Sequence, residues 1–197
     1  MAHAAAAAAA LSAGAAVVAT RFVIGETDPI ALVYFRYLIA TLCFAPFLAR
    51  LWPRGGLPLL EWIKIALFGV LFFVLFPWAF NASLAINPAA RGAVGLATIP
   101  IQTLLVAVMF GRERMTSAKA FGVLSAFAGI VVAFGPAAAV PAGGGSLRGD
   151  LLMLAGVFCA AVYSVFARPV LMRRGALFVT ALGMAVATLT LAPVVHL

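Results

Sequence analysis

Residues 63–84 read IKIALFGVLFFVLFPWAFNASL and hold one charged residue, Lys64, at their start. A helix crosses a hydrocarbon core of about 30 Å with about 20 residues. The run is therefore long enough to span a bilayer. It does not alternate polar with apolar residues, so it is not a barrel strand. Within lipid, only helices and closed barrels satisfy every backbone group, and this segment predicts a transmembrane helix.

Six further runs read the same way, giving expected spans at 4–24, 29–49, 63–84, 90–110, 118–134, 151–171 and 176–197. The whole chain agrees. It is 66% hydrophobic and 9% charged, with a mean hydropathy of +1.20. Soluble domains hold about 45–50% apolar and about 25% charged residues, and one soluble core could not bury this excess. The expected fold is an all-α, polytopic transmembrane bundle with the lipid bilayer as its solvent.

The boundaries have their own chemistry. Thr27-Asp28-Pro29 offers an N-cap followed by a proline at the first helical position. Asn87-Pro88 separates two spans, because proline cannot continue a helix and restricts the residue before it. Thr116 or Ser117 can cap the fifth span and Asp150 the sixth. Residues 136–149, centred on Gly143-Gly144-Gly145-Ser146, read as the linker. The first run is mostly alanine. No basic residue precedes it and Arg21 lies near its far end, so it reads as a retained span and not a signal peptide.

The net charge of +8 does not point to nucleic acid. The basic residues stand singly or in small groups between apolar runs and form no stripe for a phosphate backbone. They do sort by side. With the N-terminus inside, Arg50, Arg54, Lys64, Arg112, Arg114, Lys119, Arg168, Arg173 and Arg174 fall on inner loops, and Arg21, Arg91 and Arg148 fall outside. Cytoplasmic loops are enriched in Lys and Arg, so the N-terminus is expected in the cytoplasm, with the chain in a bacterial inner (plasma) membrane.

Two cysteines, Cys43 and Cys159, lie inside apolar runs, and two histidines, His3 and His196, lie at opposite chain ends. Neither a disulfide framework nor a metal cluster is visible, and no cofactor is expected. No nucleophile elbow, zinc-protease motif or intramembrane catalytic pair occurs, so an enzyme is not expected.

Shifting the chain against itself by about 147 residues aligns Val18, Arg21 and Val23 with Val165, Arg168 and Val170. It also aligns Ala40-Thr41-Leu42 with Ala187-Thr188-Leu189, and Ala45-Pro46 with Ala192-Pro193. A repeat of five helices has an odd number of crossings, so the next copy enters from the opposite face. Inverted repeats of this kind are a recurring plan of secondary transporters. The reading divides the chain into a first repeat of five helices at 1–138 and the first two helices of an incomplete second repeat at 139–197.

Asp28-Pro29 with Tyr34-Phe35-Arg36-Tyr37 resembles the second helix of EamA-type members of the drug/metabolite transporter superfamily. Ile99-Pro100, then Phe110-Gly111-Arg112-Glu113-Arg114-Met115-Thr116, then Gly122 and Gly129 resemble that family's most recognisable region. Gly149-Asp150-Leu151-Leu152, leading to Tyr163 and Arg168, resembles the opening of its second repeat. Ala13-Gly14 stands where the family often has a tryptophan–glycine pair. The resemblance implies two five-helix repeats and an exporter or exchanger of small organic solutes such as amino acids, metabolites or drugs. The chain then is either a fragment of a ten-helix protein or pairs with a second copy as a homodimer. The alternative is a non-transporting structural or assembly subunit, complete as it stands.

Intramembrane polar groups are expensive and turn towards helix partners or a solvated cavity. Tyr34, Arg36, Trp78, Asn81, Gln102, Thr103 and Tyr163 are the expected solute-binding set, with Ser164 also in mid-span. Trp78 and Asn81 are the expected leading pair. Arg36 lies about 10 Å into its helix at 1.5 Å per residue and matches the family's arginine position; snorkelling to the interface explains it equally. Interhelical hydrogen bonding is the plainer reading of any one of these residues. Ala118/Gly122 and Ser125/Gly129 are expected to let helices approach closely. No acid sits at mid-membrane, so no carboxylate proton relay is expected in these spans.

Overall fold

The computed structural model describes residues 11–12, 15, 18–20, 22–53, 55–139 and 146–195, with the side chains of residues 130 and 133–139 outside that description. Among the described residues everything regular is helical. We number the helices α1 (Pro29–Leu51), α2 (Leu59–Ile86), α3 (Ala89–Met109), α4 (Ser117–Ala139), α5 (Leu147–Phe166), α6 (Arg168–Arg174) and α7 (Ala176–Val195). Five of them (α1, α2, α3, α5 and α7) are long and apolar enough to cross a membrane. The 23-residue α4 brackets the expected fifth span. Most of the first expected span lies outside the described residues. Leu11, Ser12, Ala15, Val18–Thr20, Phe22 and Val23 within it are helical.

Local chemistry sets the boundaries. Asp28 caps α1, its carboxylate accepting from the Ile30 and Ala31 amides at 2.8 and 3.2 Å, with Pro29 next in line. Asn87 is extended ahead of Pro88 and ends α2. The Thr116 hydroxyl accepts from the Lys119 amide at 3.4 Å at the start of α4.

The sixth expected span differs at both ends. It begins at Leu147, and its cap is Ser146, whose hydroxyl accepts from the Arg148 amide at 3.2 Å. Asp150, the expected cap, lies one turn inside and is used elsewhere. The span stops at Phe166, and the separate α6 follows, with Pro169 in its first turn. The expected linker is also shorter, because α4 runs through Pro136 to Ala139.

Two helices carry internal breaks. In α3 the turn at Ala97–Thr98 divides Ala89–Leu96 from Ile99–Met109. Pro100 has no N–H to return to the Leu96 carbonyl, and the Thr98 hydroxyl donates to the Gly95 carbonyl at 2.7 Å. In α2, Leu71–Leu75 forms a π turn closed by the Phe76 amide donating to the Leu71 carbonyl.

Because lipid is as apolar as leucine, close packing more than the hydrophobic effect holds such helices together. α2 is the hub. Phe73 joins Val33 and Tyr37 of α1 to Ala187 and Leu191 of α7. Ile65 packs with Val170, Phe178, Val179 and Leu182. Phe80 and Leu84 meet Met153 and Val157 of α5. Gly69 and Gly183 make a close crossing: a Cβ built on Gly69 would stand 3.1 Å from both Cα and O of Gly183. The expected close approach at Gly122 and Gly129 is not formed among the described residues, where a Cβ built on either would have no neighbouring helix within 4 Å.

α1 and α7 pack along their lengths and share a hydrogen bond between the Thr41 and Thr188 hydroxyls at 3.2 Å, a pair 147 residues apart. One pair that the sequence shift superposes, Thr41 and Thr188, is thus in contact.

Candidate functional site

The helix order gives the bundle two chemically distinct ends. At one end lie Asp28, Asn87, Arg91 and Asp150; at the other lie Arg50, Lys64, Arg112, Lys119, Arg168 and Arg174. We call these the Asn87 end and the Arg112 end. Every acid that the sequence placed at helix ends is there. Asp150 and Glu61 sit in first turns, and Glu61 accepts from Arg174 Nε at 2.6 Å.

At the Asn87 end a buried amide ties the α2–α3 junction to the start of α5. Asn87 is 1% exposed. Its Nδ2 donates to Asp150 Oδ1 at 2.7 Å, and its Oδ1 accepts from the Ser146 amide at 2.8 Å. Arg91 pairs with the other carboxylate oxygen of Asp150 at 3.1 Å. Only glycine fits at 149, since a Cβ there would stand 2.6 Å from Asn87 Nδ2. Beneath this clamp lies a cavity of about 230 Å³ lined by Ser83, Arg91, Val94, Gly95, Thr98, Asp150, Met153 and Leu154. The Ser83 hydroxyl is buried and has no hydrogen-bond partner among the described residues.

A second cavity, of about 320 Å³, opens at the Arg112 end between the same two helices, α3 and α5. Its lining is Thr103, Ala107, Arg112, Glu113, Ser164, Val165, Arg168 and Pro169. The Thr103 hydroxyl is buried without a partner among the described residues. Glu113 is engaged by Lys119, and the Arg112 guanidinium lies 5.8 Å over the Phe166 ring. Leu154 and Ser164, one from each cavity, are about 15 Å apart along α5 at 1.5 Å per residue.

An aromatic cluster joins α5 to α2. Tyr163 stacks on Phe72 with centroids 4.3 Å apart, and Phe72 stacks on Phe76 at 5.6 Å. Phe72 and Phe73 belong to the π turn of α2, and Tyr37 meets Phe73 edge-on at 5.4 Å.

The expected binding residues therefore do not converge on one chamber. Thr103 faces the second cavity and Tyr163 the aromatic cluster. Gln102 lies beside the seam, its Nε2 donating to the Thr98 hydroxyl at 3.2 Å. Asn81 is 2% exposed and its Nδ2 reaches the Pro29 carbonyl at 3.5 Å, while Trp78 is 37% exposed. Tyr34 packs against the core shared by α1, α2 and α7. Arg36 is exposed and lines a separate, mainly apolar groove with Leu32, Phe35 and Ile39. Sequence reasoning missed Ser83, a small residue indistinguishable there from a packing serine. It read Arg91 and Asp150 only as boundary charges, because their 59-residue separation hides the contact.

No solved structure matches the chain. An uncharacterized transporter of Archaeoglobus fulgidus is 26% identical over 182 residues, covering 91% of this chain and 62% of that protein. The chain thus spans less than two thirds of the relative it matches. The model of the EamA-like transporter family matches residues 1–135. With a helical bundle of membrane-crossing length and a cavity at each end of one helix seam, the chain belongs to the EamA-like transporter family.

Proposed function

We propose that this integral membrane transporter moves small organic solutes along the α3–α5 seam by alternating access between inverted repeats. The observation that carries this is the pair of cavities opening towards opposite ends between the same two helices. A solute passing between them meets hydroxyls at Ser83, Thr98, Thr103 and Ser164. It also meets the break in α3 ahead of Pro100, where an unpaired helical carbonyl lets the two halves pivot. Gln102, Thr103 and Tyr163 of the expected set adjoin this path; Tyr34, Arg36, Trp78 and Asn81 lie away from it.

The Thr41–Thr188 contact supports the repeat reading. Equivalent residues of two inverted repeats meet only near the two-fold axis that relates them, and this pair is separated by the shift that aligns the repeats. The orientation that fits the basic residues places the Arg112 end in the cytoplasm.

The test is side-specific labelling of the full-length protein in vesicles. In a background with Cys43 and Cys159 replaced by serine, Thr98→Cys should react from the Asn87 side and Thr103→Cys from the Arg112 side. A transported solute should protect both. Labelling of both from one side, or absence of protection by any solute that crosses, refutes the pathway and favours a non-transporting subunit.

A further inference from the structure

We infer that the cavity at the Arg112 end is an oxyanion site that admits small organic acids, meeting their carboxylate with Arg112 and Arg168. This rests on the transport reading and names its solute class. Two arginines, Arg112 and Arg168, line one cavity, and the Arg112 guanidinium also lies 5.8 Å over the Phe166 ring. Among the described residues the one acid in its lining, Glu113, is already paired with Lys119. Neither arginine has an ion-pair partner among the described residues; the described bridges are Arg91–Asp150, Lys119–Glu113 and Arg174–Glu61. The cavity therefore carries two uncompensated positive charges at the edge of a low-dielectric slab, where walls of low polarisability strengthen their field. An anion between them relieves the mutual repulsion and gains charge-assisted hydrogen bonds from both planar forks.

Membrane orientation alone accounts for arginines at this end, but it asks nothing of Thr103. The Thr103 hydroxyl is buried and unpartnered among the described residues, and Thr103 is part of the cavity lining from α3. A buried hydroxyl without a partner costs free energy, and a bound carboxylate oxygen supplies the missing acceptor. Ser164 faces it from α5 but already donates to the Ala160 carbonyl at 2.8 Å, leaving its oxygen as an acceptor only. The remaining wall, Ala107, Val165 and Pro169, is apolar. The ligand is thus a carboxylate with a compact apolar body, of a size for about 320 Å³. The cavity at the other end does not repeat this charge, since Arg91 is paired with Asp150.

The probes are benzoate, benzamide and benzylamine, which share a body and differ in charge. Equilibrium dialysis of the full-length protein in detergent should give saturable binding of benzoate and none of the other two. Arg112→Gln and Arg168→Gln should each weaken it roughly tenfold or more, as expected for a hydrogen bond to a charged group. Thr103→Val should weaken it less, and Arg112→Lys with Arg168→Lys should retain part of it. Arg173→Gln, a charge change at the same end but outside the lining, should leave it unchanged. Equal binding of benzamide, no saturable benzoate binding, or no effect of the paired glutamine variants overturns the site. Displacement of benzoate by phosphatidylglycerol in mixed micelles at lower concentration overturns the solute assignment in favour of a lipid phosphate. Benzoate bound but not carried across proteoliposomes would sink the transport reading and leave the oxyanion site standing. Flux of neutral solutes without benzoate binding would do the reverse.

Discussion

Replacing Asn87 by alanine should loosen the junction between the end of α2 and the start of α5. The side chain is 1% exposed and holds two hydrogen bonds, one to the Asp150 carboxylate at 2.7 Å and one from the Ser146 amide at 2.8 Å. A hydrogen bond to a charged group contributes about 1.5–3 kcal/mol and a neutral one about 0.5–1.5 kcal/mol, for a gross loss of roughly 2–4 kcal/mol. The Asp150 side chain is 34% exposed, so water can replace part of the first bond. The expected net loss is about 2 kcal/mol, equivalent to a fall in Tm of roughly 4–8 °C at this chain size. Thermal unfolding of the full-length protein in detergent measures it. A double-mutant cycle with Asp150→Ala isolates the pair and should give a coupling of about 1–2 kcal/mol. Additivity within about 0.5 kcal/mol would refute the clamp, because uncoupled sites behave that way. Asn87→Asp would set two carboxylates together and should be worse than alanine at neutral pH. It should recover as the pH falls and either acid gains the proton that restores a donor.

Gly183→Ala should destabilise by about 1–3 kcal/mol through overpacking, since its new Cβ would meet the Phe73 ring at 2.8 Å; Gly122→Ala, with nothing within 4 Å, should be neutral or stabilising by up to about 1 kcal/mol, and melting curves of the two compare them directly. Pro100→Ala restores a helical donor to the Leu96 carbonyl; solute flux should slow while Tm holds or rises, and unchanged flux would remove the pivot from the mechanism. Glu61→Gln breaks a pair with Arg174 in which the side chains are 29% and 21% exposed for Arg174 and Glu61 respectively. The cycle with Arg174→Gln should give no more than about 1 kcal/mol after solvent screening, read by the same melting assay.

Span positions were legible because each is a continuous apolar run closed by a local device, such as Asp28-Pro29 or Asn87-Pro88. The cap of α5 was misread for a related reason: Asp150 is as good a cap as Ser146 in isolation, and only the Asn87 amide 63 residues away shows that its carboxylate is taken. The glycines of α4 fit the small-residue pattern, yet the close crossing formed at Gly69 and Gly183. Spacing on one helix does not say which face meets a neighbour. The binding set was legible only by depth, so side chains of very different exposure, such as Trp78 and Asn81, were grouped together. Ser83 and the two cavity arginines emerge from how α3 lies against α5, which no single stretch of sequence contains.

The π turn in α2 is in effect an angular gear. An α-helix advances its side chains by about 100° per residue, and the turn at Leu71–Leu75 takes in one residue more than an α-turn would hold. Everything after it is dialled by one step relative to Leu59–Val70. That offset is what lets one helix aim Ile65 and Gly69 at α7 and, further on, bury Asn81, Ser83 and Leu84. Deleting a single residue within the turn would leave composition, length and hydropathy almost untouched. It would still swing Asn81 and Ser83 out of the bundle by roughly a quarter turn and bring lipid-facing side chains in. The helix would still enter the membrane, with its far half facing the wrong neighbours.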